Sequence, residues 1–166
     1  MGASAPTIAV IAGTIWGNRG AESMLTTTIG MMRESCPDAR FLAYSYYPAK
    51  DRELITDEAV EVLDARPLTL ALKYFPVSLL AAILDIIGIR IPLPHALDAL
   101  RQADVLLDIG GITFADGRAL FLLFNIFTIL PAMLLKTPVI KLAQAMGPFK
   151  TTLNRALASF FLRRCK

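Results

Sequence analysis

Three apolar segments in this chain each run directly into a polar turn containing glycine. Thr7–Gly13 leads to Gly17, Asn18, Arg19, Gly20 and Glu22, Val105–Ile109 leads to Gly110, Gly111 and Asp116, and Val139–Ala143 leads to Gln144, Gly147 and Pro148. Continuous apolar runs that alternate with helical patterns belong to parallel strands covered on both faces. The carboxyl ends of such strands face one crevice, so turns far apart in sequence can converge on one ligand.

The order of elements follows from the same reading. Strands are predicted at 7–13, 40–45, 60–63, 104–109 and 138–143. Helices are predicted at 21–35, with Met24, Leu25, Thr28, Met31 and Met32 on one face, and at 53–59, 68–88, 94–102, 118–135 and from 151 onward. Pro76 is expected to interrupt the helical segment at 68–88. The fold class is α/β: a Rossmann-like, doubly wound parallel sheet of about five strands.

A length of 166 residues with 55% apolar and 19% charged side chains excludes a disordered chain. Residues 1–149 hold 12 basic and 14 acidic groups, so the net charge of +3 arises from Lys150, Arg155, Arg163, Arg164 and Lys166. Nothing in this distribution points to nucleic acid. Cys36 and Cys165 form no close pair and His95 is the single histidine, so neither a disulfide framework nor a metal site is implied. Met1–Thr7 lacks a basic stretch before an apolar core and does not read as a secretory leader. A reducing cytoplasm is the expected compartment, with peripheral contact at the inner face of the membrane left open.

Ala119–Leu135 runs 17 residues without a charge, but it includes Asn125 and Pro131 and lies between two strands. It reads as a helix covering the sheet, short of the roughly 20 residues needed to span a bilayer. Leu68–Ile91 is nearly as apolar and could face a membrane surface, a partner chain or a further domain. The closing helix places Leu153, Ala156, Leu157, Phe160 and Phe161 on one side and then stops without a cap. Residues 1–150 are therefore expected to form one Rossmann-like domain and 151–166 the start of a linker helix toward a second domain. On that expectation Phe160 and Phe161 are uncovered here and drive self-association.

Each turn admits two readings. Gly17–Glu22 opens a helix, where free N–H groups and the helix dipole favour an anion, or where the glycines merely permit a tight turn. Its spacing is not the Gly-x-Gly-x-x-Gly of dinucleotide sites. Trp16 beside it could wall a sugar or pack locally. Gly110 and Gly111 allow close approach of a ligand, and Asp116 could accept hydrogen bonds from hydroxyls or cap the next helix. Asp108, inside its strand, needs a partner if buried and is a candidate anchor for a neighbouring loop. Gln144 and Gly147 offer an amide and a rigid turn. His95 reads as a surface or helix-capping residue. No nucleophile–base pair and no carboxylate dyad stands out, so catalytic residues are left unassigned.

Taken in order, Asn18-Arg-Gly-Ala-Glu-Ser-Met-Leu25, Ala103-Asp-Val-Leu-Leu-Asp-Ile-Gly-Gly111 with Asp116, and Lys141-Leu-Ala-Gln-Ala-Met-Gly-Pro148 resemble the polysaccharide pyruvyl transferase family. The resemblance implies two Rossmann-like domains facing across a GT-B-like cleft, of which this chain corresponds to the amino-terminal half. It also implies transfer of a pyruvyl unit from phosphoenolpyruvate, the donor substrate, onto a sugar or glycan-precursor acceptor, with no further cofactor. Gly17, Asn18, Gly20, Glu22, Gly110, Gly111, Asp116, Gln144 and Gly147 are the substrate-binding candidates. Ala21 stands where many members have aspartate, and the glycine run at Gly110 is shorter than usual. The basic and histidine residues expected to hold phosphoenolpyruvate lie in the family's second half, so this chain alone is expected not to turn over. Two other classes fit the same turns: a GT-B nucleotide-sugar glycosyltransferase and a binding module without chemistry.

Overall fold

The computed structural model describes residues 5–116 and 119–166. Five parallel strands form the central sheet: β1 (Thr7–Ile11), β2 (Arg40–Ser45), β3 (Val60–Asp64), β4 (Val105–Asp108) and β6 (Val139–Lys141), in the order β3-β2-β1-β4-β6. The chain winds outward from β1 in one direction through β2 and β3, then restarts on its other side with β4. That reversal between β1 and β4 is where open α/β sheets form a crevice at their carboxyl edge.

Alternation along the strands divides the core. Ile8, Val10, Phe41, Leu107 and Ile109 face α1 (Arg19–Ser35), while Ala9, Ile11, Leu42, Tyr44 and Leu106 face the opposite layer. That layer holds α4 (Phe75–Ile86), α5 (His95–Gln102), α6 (Ala119–Leu134) and α7 (Thr152–Leu162). With apolar side chains covered on both faces, the sheet is doubly wound as the sequence predicts. In α6 the core side carries Leu122, Ile126, Ile129 and Ala132, all buried, so this helix covers the sheet.

Several predicted boundaries move, each for a local reason. The helix predicted at 53–59 is instead α2 (Pro48–Leu54), because Pro48 fits the first helical turn, where its missing N–H costs nothing. Pro76 does not interrupt its helix. A one-turn α3 (Pro67–Thr69) passes into a π-turn (Leu70–Tyr74), closed by the Phe75 N–H bonding the Leu70 carbonyl. The proline then falls in the first turn of α4, where a free N–H is not required. On α1, Leu25 and Thr28 are buried but Met31 faces outward. Gly117 and the helix start predicted at 118 lie outside the described residues.

The closing helix differs most from expectation. Its buried stripe is Asn154, Ala158 and Phe161, and Leu153 faces outward. Phe161 is 6% exposed and meets the Phe114 ring at 6.3 Å, so it belongs to the core and is not uncovered as predicted. Phe160 is 51% exposed and carries the Arg164 guanidinium 3.7 Å from its ring centroid. A sequence stripe can be right in period and still rotated by one position, because the neighbouring loop decides which side docks.

Candidate functional site at the carboxyl edge of the sheet

The loop after β1 is shaped by a carboxylate from α2. Asp51 is completely buried, and its oxygens accept from the Thr14 hydroxyl at 2.7 Å, the Ser45 hydroxyl at 2.5 Å, and the Ile15 and Trp16 amides at 3.1 and 2.8 Å. Four donors stand in for a counter-cation, as burial of a charge requires. They fix the path of residues 14–16 and leave Trp16 exposed, its ring 4.9 Å from that of Tyr47. Tyr47 follows β2, so both rings stand at the carboxyl edge.

Beyond Trp16, Gly17 adopts φ +74°, a left-handed conformation that admits glycine without strain. The next residue is the N-cap of α1: the Asn18 Oδ1 accepts from the Gly20 and Ala21 amides, both at 3.1 Å, and the Asn18 carbonyl accepts from the Glu22 amide at 2.9 Å. Three N–H groups at the helix start are thus satisfied within the chain. An anion bound here would have to replace the Asn18 side chain. The carboxylate of Glu22 complements the dipole in the first turn.

The other two turns are joined to each other. Short strands β5 (Ile112–Thr113) and β7 (Ala145–Met146) pair in parallel, a contact that sequence reading missed because two residues carry no periodicity. Beneath them the Lys141 ammonium lies 2.5 Å from the Asp108 carboxylate, both nearly inaccessible to solvent. The other Asp108 oxygen accepts from the Gly110 amide at 3.0 Å, so this residue anchors its loop as the sequence suggests. Gln144 bridges the two turns, with its Nε2 donating to the Asp108 carbonyl at 2.6 Å and its Oε1 accepting from the Thr113 hydroxyl at 2.7 Å and the Lys141 ammonium at 3.2 Å. Its amide oxygen faces inward and latches the turns.

Asp116 caps the start of α7 (Thr152–Leu162). It accepts from the Lys150 amide, from the Thr151 hydroxyl at 2.6 Å and from the Asn154 amide at 3.1 Å, at the start of α7. The Thr151 hydroxyl and these further donors hold its carboxyl below the usual range, against a smaller opposing effect of desolvation. Asn154 also donates to the Phe114 carbonyl at 2.9 Å, and its buried Oδ1 has no partner among the described residues. Gly147 adopts φ +88° and precedes a cis bond to Pro148.

The first turn meets the second at Gly110, where a β-carbon would come within 3.3 Å of the Ala12 methyl. Around Gly111 there is open space within 4 Å. Ala12, Phe114 and Ala143 all take positive φ at this edge, a concentration of backbone strain that rigid surroundings must hold in place. Among the described residues no hydrogen bond ties Asn18, Gly20 or Glu22 to the other two turns. His95 lies apart, its Nε2 2.6 Å from Glu61 Oε1 on β3. Asp51, Lys141 and Asn154 are the organising residues that sequence reasoning did not single out.

Fold and edge together define a Rossmann-like α/β protein whose glycine-bearing turns after β1 and β4 flank its topological switch point. The chain belongs to the polysaccharide pyruvyl transferase family, whose family model matches residues 18–166. No curated protein matches it.

Proposed function

We propose that this chain forms the acceptor side of a cleft, in a cytoplasmic two-domain protein of GT-B-like architecture, where a pyruvyl unit passes from phosphoenolpyruvate to a sugar in polysaccharide biosynthesis. The observation carrying this reading is the exposed Trp16–Tyr47 pair at the carboxyl edge of the sheet, after β1 and β2. Aromatic faces of this kind take the apolar face of a sugar ring while leaving its hydroxyls free to be positioned. Buried Asp51 holds Trp16 through its amide, so the platform is preorganised.

The chemistry balances without a redox partner. A general acid supplied by the rest of the full-length protein protonates the methylene carbon of phosphoenolpyruvate, and positive charge develops at the adjacent carbon. One acceptor hydroxyl adds there and loses its proton. Phosphate departs with the bonding electrons, and a second hydroxyl of the same sugar closes the ketal. The described residues offer positioning groups for this sequence rather than an acid–base pair.

The full-length gene product, incubated with phosphoenolpyruvate and a panel of sugars and glycan precursors, is expected to yield a ketal detectable by mass spectrometry. Trp16→Ala should raise the acceptor KM roughly tenfold and leave the phosphoenolpyruvate KM nearly unchanged. Consumption of nucleotide sugars with no ketal from any acceptor would replace this reading with a glycosyltransferase.

A further inference from the structure

The continuous helical segment Pro67–Ile86 has a mean hydropathy of 1.7 over its most apolar window, yet only 22% of that window is buried. One side is committed to the domain, since Tyr74, Ser78 and Ala81 are buried and the Phe75 ring meets Phe127 of α6 at 5.4 Å. These contacts hold one side of the segment against the domain. The other side is exposed: Leu79, Ile83, Ile86 and Ile87 recur at helical spacing, and Ile86 is 83% accessible. Contiguous apolar surface of this kind marks a protein or membrane contact.

The surroundings distinguish between the two. Beside the carboxyl-terminal half of this ridge, a cavity of about 390 Å³ opens where α4, α5 and α6 all end, at the edge of the sheet opposite the crevice. Arg90, Arg101 and Lys136 line it together with Ile89 and Ile91, and Asp85 is its one carboxylate. Lys136 pairs with Asp85 and Arg101 with Asp98, while Arg90 has no ion-pair partner among the described residues. Three cations here stand against Asp85 and Asp98, a local excess of one.

We infer that α4 and this basic cavity dock the domain onto an anionic lipid surface. The ridge enters the acyl boundary, and the cavity receives a negatively charged headgroup. An apolar ridge flanked by a concave cationic site matches the amphipathic profile of a bilayer interface, and the ridge presents no polar side chains with which a protein partner would be selected. The inference does not rest on the transferase reading, because the docking face lies away from the crevice.

Co-sedimentation of the chain with vesicles tests it. The chain is expected to bind equimolar phosphatidylcholine–phosphatidylglycerol vesicles, to bind pure phosphatidylcholine far less, and to weaken as salt rises. Arg90→Glu and Arg101→Glu should each reduce binding about fivefold or more, and Ile83→Asp with Ile87→Asp should abolish it. These positions are exposed, and circular dichroism melting checks that each variant folds; should the double aspartate variant fail to fold, the arginine variants decide. Absence of binding to the anionic vesicles, or equal binding to both vesicle types unaffected by the arginine variants, overturns the proposal. So does sedimentation velocity without lipid, if the aspartate substitutions convert a dimer to a monomer and no vesicle binding occurs. The ridge would then be a contact between copies.

Discussion

Two buried carboxylates support the crevice, and they are compensated in different ways. Asp51 accepts from two hydroxyls and two backbone amides, three of these donors in the loop after β1, and no cation among the described residues pairs with it. Asp108 holds the loop after β4 while paired to Lys141 from β6, the strand at the sheet's edge. In the first case the loop is itself the counter-charge, so charge and loop geometry depend on each other. In the second, the charge is balanced between two strands, and the loop takes a single further bond through Gly110. A loop that supplies three of the four donors, with Ser45 of β2 the fourth, can be rearranged only by giving up most of the carboxylate's compensation, whereas a loop on an ion pair can shift while the pair persists.

The largest expected effect separates these cases. Lys141→Met leaves the Asp108 charge buried and uncompensated, which should destabilise the domain by about 3–5 kcal/mol in urea unfolding. Adding Asp108→Asn removes the charge but keeps an acceptor for Gly110, and should restore part of the loss. If Lys141→Met costs no more than a surface substitution, the pair is not what compensates Asp108. Asp51→Ala should cost less, about 2–3 kcal/mol, since the Thr14 and Ser45 hydroxyls can turn to other partners. Its signature is local: faster amide exchange at Ile15 and Trp16 with protection of the β2 amides retained. Uniform loss across the sheet would mean that Asp51 supports the core and not the loop alone.

The same contrast explains what was legible in the sequence. Strand positions and the doubly wound order could be read because β1, β4 and β6 are apolar runs with glycine-bearing turns at their carboxyl ends. Asp108 was readable as an anchor because an acid inside such a run must find a partner. Asp51 was not, for it sits in Lys50-Asp51-Arg52-Glu53, which looks like a solvated face, and only the packing of α2 under the β1 loop buries it. The pairing of β5 with β7 and the rotated stripe of α7 were hidden for a related reason: each is set by contacts across the edge, not by a local period. Gln144 and Asp116 were singled out for their place at strand ends, and their donors and acceptors became assignable only with the turns brought together.

The smallest effect belongs to Asp116, the half-buried counterpart of the two buried acids. Its folded pKa is lowered chiefly by the Thr151 hydroxyl, so the carboxylate form is favoured in the folded state. A depressed carboxyl pKa contributes stability that is fully present above the unfolded value of about 3.9 and is lost as pH falls through the folded value. Acidification into that range should therefore loosen the contact between the 110–116 turn and the start of α7 before the sheet opens, because β1, β2 and β4 do not depend on this group. Amide exchange at Thr151, followed on acidification, should report it against unchanged protection in β1. In Asp116→Asn, which keeps an acceptor but cannot titrate, the acid-dependent step should vanish while the modest loss of capping is present at every pH. A step that survives in Asp116→Asn would assign the acid sensitivity of this edge to another group, and would show that this cap is not the first contact to yield.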